Sequence, residues 1–109
     1  MDNKYQEILQ TEYSIEFDKL RQNRSVTSFY KYGPIAVNYG EKLTDSLGTM
    51  ELCLNKYKKT GNTEYLVDAA NYLMFEFMYP QHKDAHFKPT DSSESAGKVG
   101  SCVKEIELL

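Results

Sequence analysis

The chain has little cysteine and proline, no tryptophan and no long apolar run, and these absences exclude several classes of protein. No apolar stretch approaches the ~20 residues of a membrane-spanning helix. The residues 1–6 are polar, which argues against a signal peptide and predicts a cytoplasmic protein. The two cysteines, Cys53 and Cys102, are far apart and in no CxxC arrangement. We therefore expect reduced thiols in a cytosolic protein without a membrane segment.

What the chain does contain is typical of one folded domain. Its 109 residues are 40% apolar and 13% aromatic, which is enough to build a hydrophobic core. Thirteen Lys and Arg against sixteen Asp and Glu give a net charge of −3, so the chain is not built as a basic binder of DNA. No phosphate-binding P-loop, dinucleotide fingerprint or nucleophile elbow occurs.

The apolar periodicity predicts an all-α fold, a three-helix bundle with a central αα-hairpin. A first helix is expected over 3–22, followed by a turn or loop over 23–35 that contains the strong breaker Gly33-Pro34. The hairpin helices are predicted at about 41–60 and 63–79, with Gly61 as the left-handed cap between them. We interpret 1–109 as a single helical domain whose residues 80–109 form a long, irregular, loop-rich C-terminal extension.

The clearest anomaly is a segment without acids. Residues 19–40 contain four Lys and Arg, and hydroxyl and aromatic side chains are interleaved with them. Such a mixture suits a phosphate-bearing aromatic ligand, because Arg binds phosphate with two hydrogen bonds and phenol rings stack on a base. The alternative is a solvated basic loop. The predicted ligand-binding residues are Arg21, Arg24, Ser28, Phe29, Tyr30, Lys31, Tyr32 and Asn71, with His86, Lys88 and Thr90 from the C-terminal loop closing the site.

Two other groups of side chains could carry chemistry. Glu64 and Asp68 of the third helix, with Glu51 of the second, could hold Mg²⁺ at helical spacing, or form only a polar rim. His82 and His86 are four residues apart and could bind zinc on a helix. Because prolines bracket that segment, we favour histidines that make hydrogen bonds within an irregular loop.

Two resemblances add to this interpretation. Residues 50–97, which include LVDAANY and FMYPQHKDAHFKPTDS, resemble a group of small uncharacterised phage and prophage helical proteins. This resemblance implies a viral accessory protein in the cytosol of a host cell. The chain is also faintly similar to the MazG-like all-α nucleotide pyrophosphohydrolases, and that resemblance implies Mg²⁺ held by Glu51, Glu64 and Asp68.

The preferred hypothesis is a phage-type accessory protein that sequesters a nucleotide-like anionic ligand without catalysis, and so counters host immune signalling. One alternative is a Mg²⁺-dependent pyrophosphohydrolase. Another is a protein–protein inhibitor of a host defence enzyme, which would use the acids of residues 2–18. A third helix that is apolar all round predicts a homo-oligomer.

Overall fold

The computed structural model describes residues 3–91, 93, 94 and 96, and all regular structure in this part of the chain is helical. The helices are α1 (Asn3–Glu12), α2 (Ile15–Tyr32), α3 (Ile35–Asn38), α4 (Ser46–Thr60) and α5 (Glu64–Met78). The described residues form no strand, so the predicted all-α class is confirmed. No helix in these residues is both long and apolar enough to cross a bilayer.

The predicted first helix over 3–22 is wrong, because the chain breaks at Ser14. The backbone of Ser14 is extended (φ −114°, ψ 106°), and its Oγ accepts a hydrogen bond of 3.0 Å from the N–H of Phe17. This is the geometry of an N-cap, and it starts α2. The negative charges of Glu16 and Asp18 in the first turn then stabilise the helix, because they lie near the positive end of its dipole.

The predicted loop over 23–35 is wrong as well, because α2 continues through it to Tyr32. Hydroxyl side chains do not disrupt the helix when they bond within it: Thr27 Oγ1 donates to the carbonyl of Asn23 at 3.0 Å. The helix ends where the breaker was expected. Gly33 has a φ of 84°, and its N–H donates to the carbonyl of Phe29 at 2.8 Å.

The αα-hairpin connection is present as predicted. Gly61 is left-handed (φ 73°) and donates its N–H to the carbonyl of Tyr57 at 2.8 Å, which ends α4. Asn62 Oδ1 accepts from the N–H of Glu64 at 3.0 Å at the start of α5. The second helix, however, begins at Ser46 and not near residue 41, because the carboxylate of Asp45 caps it and accepts from the N–H of Gly48 at 3.1 Å.

The central element is α5, which packs against both α4 and α2. The buried apolar side chains of the described residues, Val67, Ala69 and Phe75, all belong to it. The aromatic ring of Tyr39, directly after α3, lies 4.9 Å from the ring of Phe75, and the ring of Tyr72 lies 5.8 Å from it. These rings attach the short α3 segment to the middle of α5.

A second contact joins the open end of the hairpin. Ser46 Oγ donates to Glu76 Oε1 at 2.6 Å, and the backbone N–H of Gln81 donates to Glu76 Oε2 at 2.7 Å. The Gln81 side chain donates to Asp45 Oδ1 at 3.0 Å. The first turn of α4, the last turn of α5 and the chain that follows are therefore held together by the carboxylates of Glu76 and Asp45.

Residues 80–91 contain no helix or strand. The remainder of the predicted loop-rich extension falls mainly outside the described residues, and Cys102 lies outside them as well. Cys53 lies on α4 and is a free cysteine.

Candidate functional site

A cleft of about 220 Å³ lies between α2 and α5. Helix α2 lines it with Arg24, Ser25, Thr27, Ser28, Lys31 and Tyr32, and α5 lines it with Asp68, Asn71, Tyr72 and Phe75. Five of the predicted ligand-binding residues, namely Arg24, Ser28, Lys31, Tyr32 and Asn71, therefore meet in one place. The helical form of residues 24–31 brings them together, because positions i, i+4 and i+7 share one face of a helix.

Arg24 forms a bidentate ion pair across the cleft. Its Nε lies 2.9 Å from Asp68 Oδ1 and its Nη2 lies 3.0 Å from Asp68 Oδ2, while Glu64 Oε1 lies 3.7 Å from Nη2. The hydrogen bond to Asp68 is the main cause that raises the pKa of Arg24. Two nitrogens of the guanidinium therefore bond to α5, and the carboxylates of Asp68 and Glu64 balance the charge of Arg24.

Asn71 joins the two helices deeper in the cleft. It is only 4% exposed, its Nδ2 donates to the carbonyl of Arg21 at 3.0 Å, and its Oδ1 accepts from Arg21 Nε at 3.3 Å. Both polar groups of the Asn71 amide are therefore used in binding α2. Arg21 itself faces a neighbouring cleft of about 550 Å³, where it also contacts Asp18 at 3.4 Å.

Lys31 is the cation of the cleft that stays available. Unlike the guanidinium of Arg24, the ammonium of Lys31 makes no hydrogen bond or ion pair with any residue in the described part of the chain. The hydroxyl groups of Ser25 and Ser28, both half-buried, line the same cleft, and the ring of Tyr32, 71% exposed, stands at its mouth.

Two phenols near the cleft stay protonated at neutral pH. Burial is the main cause that raises the pKa of Tyr72, which lines the cleft. Burial also raises the pKa of Tyr39, its neighbour in the aromatic cluster, to about 12. A protonated Tyr72 hydroxyl can donate a hydrogen bond to an oxygen of a bound molecule.

The structure places the remaining predicted residues elsewhere. Phe29 and Tyr30 are exposed and do not line the cleft, and their ring centroids lie 5.6 Å apart in an edge-to-face contact. His86 lines a groove next to the end of α5. Lys88 and Thr90 are exposed and do not line the cleft.

The two histidines hold a turn. The Nδ1 of His82 accepts from the N–H of Asp84 at 3.0 Å, and the Nδ1 of His86 lies 2.8 Å from the carbonyl oxygen of Asp84. This arrangement matches the hydrogen-bonding interpretation of the pair. Among the described residues, no three His, Cys, Asp or Glu side chains lie together as a metal-binding group.

The acids of the alternative hypotheses are dispersed. Asp68 and Glu64 both face Arg24, whereas Glu51 is exposed on α4. Of the amino-terminal acids, Asp18 accepts hydrogen bonds from the side chains of Tyr13 and Arg21. Asp2 lies outside the described residues.

Sequence reasoning did not select Tyr72 and Phe75 for the site, because an apolar or aromatic side chain on a central helix is normally core. Their spacing could have identified them. Positions 68, 71, 72 and 75 lie on one face of a helix, so Tyr72 and Phe75 share a face of α5 with the polar residues Asp68 and Asn71.

Comparison with known proteins adds no family to these observations. No family model matches the chain, and neither does any curated protein or solved structure. The phage-protein and MazG-like resemblances therefore stay predictions.

Proposed function

We propose that this protein binds a small phosphate-bearing aromatic molecule, a nucleotide-like ligand, in the cleft between α2 and α5, and that it does so without catalysis. The observation that carries the proposal is the position of Lys31. It is a cation without an acidic partner in the described structure, beside several hydroxyl groups and an exposed phenol ring.

Each part of such a ligand has a complementary group. A phosphate oxygen accepts hydrogen bonds from the ammonium of Lys31 and from the hydroxyl of Ser28. An aromatic base stacks on the exposed ring of Tyr32. The cleft of about 220 Å³ is smaller than the ~300–1,000 Å³ of sites that enclose a whole ligand, so it takes the phosphate and leaves the base at the mouth.

Arg24 has an indirect part in this proposal. Because its Nε and Nη2 bond to Asp68, it fixes the distance between α2 and α5 and so shapes the cleft. The same pair occupies both carboxylate oxygens of Asp68, the acid of the cleft. The charge of Asp68 is thereby balanced within the protein, which leaves the ammonium of Lys31 as the group of the cleft that can attract an anion.

The biological setting of the proposal comes from the phage-protein resemblance. A small phage protein that binds a nucleotide-like signal in the host cytosol would lower its free concentration and so blunt immune signalling. Such a role needs stoichiometric binding and no turnover.

Isothermal titration of the full chain tests the proposal. The ligands are adenosine, guanosine and uridine monophosphates together with their cyclic forms. We expect micromolar binding of at least one, and about tenfold weaker binding of it by Lys31→Ala, because a hydrogen bond to a charged group contributes about 1.5–3 kcal/mol. Lys19→Ala is the matched control, since it removes the same charge from an exposed position of α2 outside the cleft.

Two results would refute the proposal. One is the absence of heat with every nucleotide at millimolar concentration. The other is equal affinity of Lys31→Ala and Lys19→Ala for the ligand that binds.

A further inference from the structure

The charges of the cleft between α2 and α5 balance each other, and a single cation is left without a partner. Arg24 and Lys31 are the cations among the lining residues, and Asp68 is the acid. Glu64 does not line the cleft, but its Oε1 lies 3.7 Å from Nη2 of Arg24. Both carboxylates therefore face Arg24, and the ammonium of Lys31 forms no ion pair with any described residue.

Uncharged hydrogen-bond donors are more numerous in this cleft than free cations. The hydroxyls of Ser25 and Ser28 line it, and neither bonds to another described residue. The hydroxyl of Thr27, in contrast, donates to the carbonyl of Asn23 at 3.0 Å. A hydroxyl can bind any phosphate oxygen, whereas a charge that has lost its water needs an opposite charge. The cleft thus offers hydrogen bonds to several oxygens but compensates only one negative charge.

A second negative charge on the ligand would be repelled by the acids of the cleft. A phosphomonoester carries a charge of about −1.5 to −2 at neutral pH, whereas a phosphodiester has one ionisable oxygen and carries a single charge. The additional charge of the monoester would lie near the carboxylate of Asp68. Arg24 could compensate it only by leaving Asp68, whose side chain is 21% exposed and would then be unpaired.

We propose that Asp68, held in place by Arg24, makes the cleft selective for a phosphodiester over a phosphomonoester. This inference rests on the proposed function and adds the class of ligand to it. The net charge of −3 opposes the binding of a long nucleic acid, so the diester belongs to a small molecule. Such a molecule is either a nucleotide whose phosphate closes a ring or a pair of nucleosides joined by one phosphate.

Isothermal titration of the full chain at about pH 7.5 tests this selectivity, because a phosphomonoester has lost its second proton there. The ligands are adenosine, guanosine and uridine, each as the cyclic monophosphate, as the dinucleoside monophosphate and as the linear 5′-monophosphate. We expect one of the two diesters to bind about tenfold more tightly than the 5′-monophosphate of the same base. Which diester binds more tightly shows whether the ligand is a ring or a linked pair of nucleosides.

Substitution of the two acids tests their part in the selectivity. Asp68→Asn keeps the size of the side chain but removes its charge, so we expect the preference for the diester to fall from about tenfold to below about threefold. Glu64→Gln leaves the bidentate bond of Arg24 to Asp68 in place and should lower the preference by less, which provides a second variant if Asp68→Asn unfolds. Glu51→Gln removes the same charge from an exposed position on α4 and should keep the wild-type preference.

The outcomes separate this inference from the proposed function. A 5′-monophosphate that binds as tightly as both diesters overturns the inference, but the proposed function stands if Lys31→Ala still weakens that binding. A preference that survives unchanged in both Asp68→Asn and Glu64→Gln also overturns the inference. Absence of heat with every ligand overturns the inference and the proposed function together.

Discussion

At the scale of single residues, Asn71 shows how much depends on one buried amide. It bonds to the backbone and the side chain of Arg21, fifty positions earlier in the chain, and no other buried polar side chain of the described residues bridges α2 and α5 in this way. The sequence analysis selects Asn71 as a ligand-binding residue, but its partner cannot be read from spacing, because the contact joins residues distant in sequence.

Replacing Asn71 tests the strength of that bridge. Asn71→Ala removes both hydrogen bonds to Arg21 and opens a cavity, so we expect the free energy of unfolding to fall by about 2 kcal/mol in urea titration. Asn55→Ala on the exposed side of α4 is the control and should stay within about 0.5 kcal/mol of wild type. Equal stability of both variants would contradict the role given to Asn71.

At the scale of elements, the sequence predicts the hairpin well and the first half of the chain poorly. Gly61 ends α4 in a left-handed conformation that glycine adopts without steric cost, so the prediction of this connection is correct. Ser14 is different, because nothing in the periodicity of its neighbours shows that its hydroxyl caps a new helix. Residues 23–32 look like a loop by composition, yet they are helical where α2 packs on α5. Five of the predicted site residues nevertheless line one cleft. A helix places residues 24, 28 and 31 on one face, so the wrong prediction of a loop does not separate them.

The packing of the α3 segment on α5 predicts a dependence on alkaline pH. Burial raises the pKa of Tyr39 from the ordinary 10.0 to about 12, so the folded state keeps its proton where the unfolded chain has lost it. The stabilisation is complete below pH 10 and is lost as the pH rises toward 12. We expect the urea midpoint to fall over this interval, and to fall less in Tyr39→Phe. Parallel pH profiles of the two proteins would refute this assignment.

At the scale of the whole molecule, the open end of the hairpin depends on the ionised form of Glu76. Burial acts to raise the pKa of this carboxyl, but the hydrogen bonds from Ser46 and Gln81 outweigh burial and hold it below 4.5. A carboxyl with a lowered pKa stabilises the fold above its unfolded pKa, and that contribution disappears as the pH falls through the folded value. Protonation of Glu76 weakens the contact between the chain after α5 and α4, which the bond from Gln81 to Asp45 then still maintains.

Circular dichroism during acid titration measures this effect. We expect the wild type to lose stability below about pH 4.5, and Glu76→Gln to be less stable at pH 7 but to change less on acidification. Glu51→Gln on the exposed side of α4 serves as control and should follow the wild type. An unchanged acid profile in Glu76→Gln would show that other carboxyls determine acid stability.

The buried amide on α5 has one more consequence. Asn71 belongs to the wall of the cleft that holds Lys31 and also to the wall of the neighbouring cleft beside Arg21. Ser25 of α2 also lines both cavities, so the two share part of one wall. A molecule that displaces α2 from one cavity would lengthen the hydrogen bonds of Asn71 to Arg21. The wall of the other cavity would then change as well, so binding in one cavity would alter binding in the other although the two molecules do not touch.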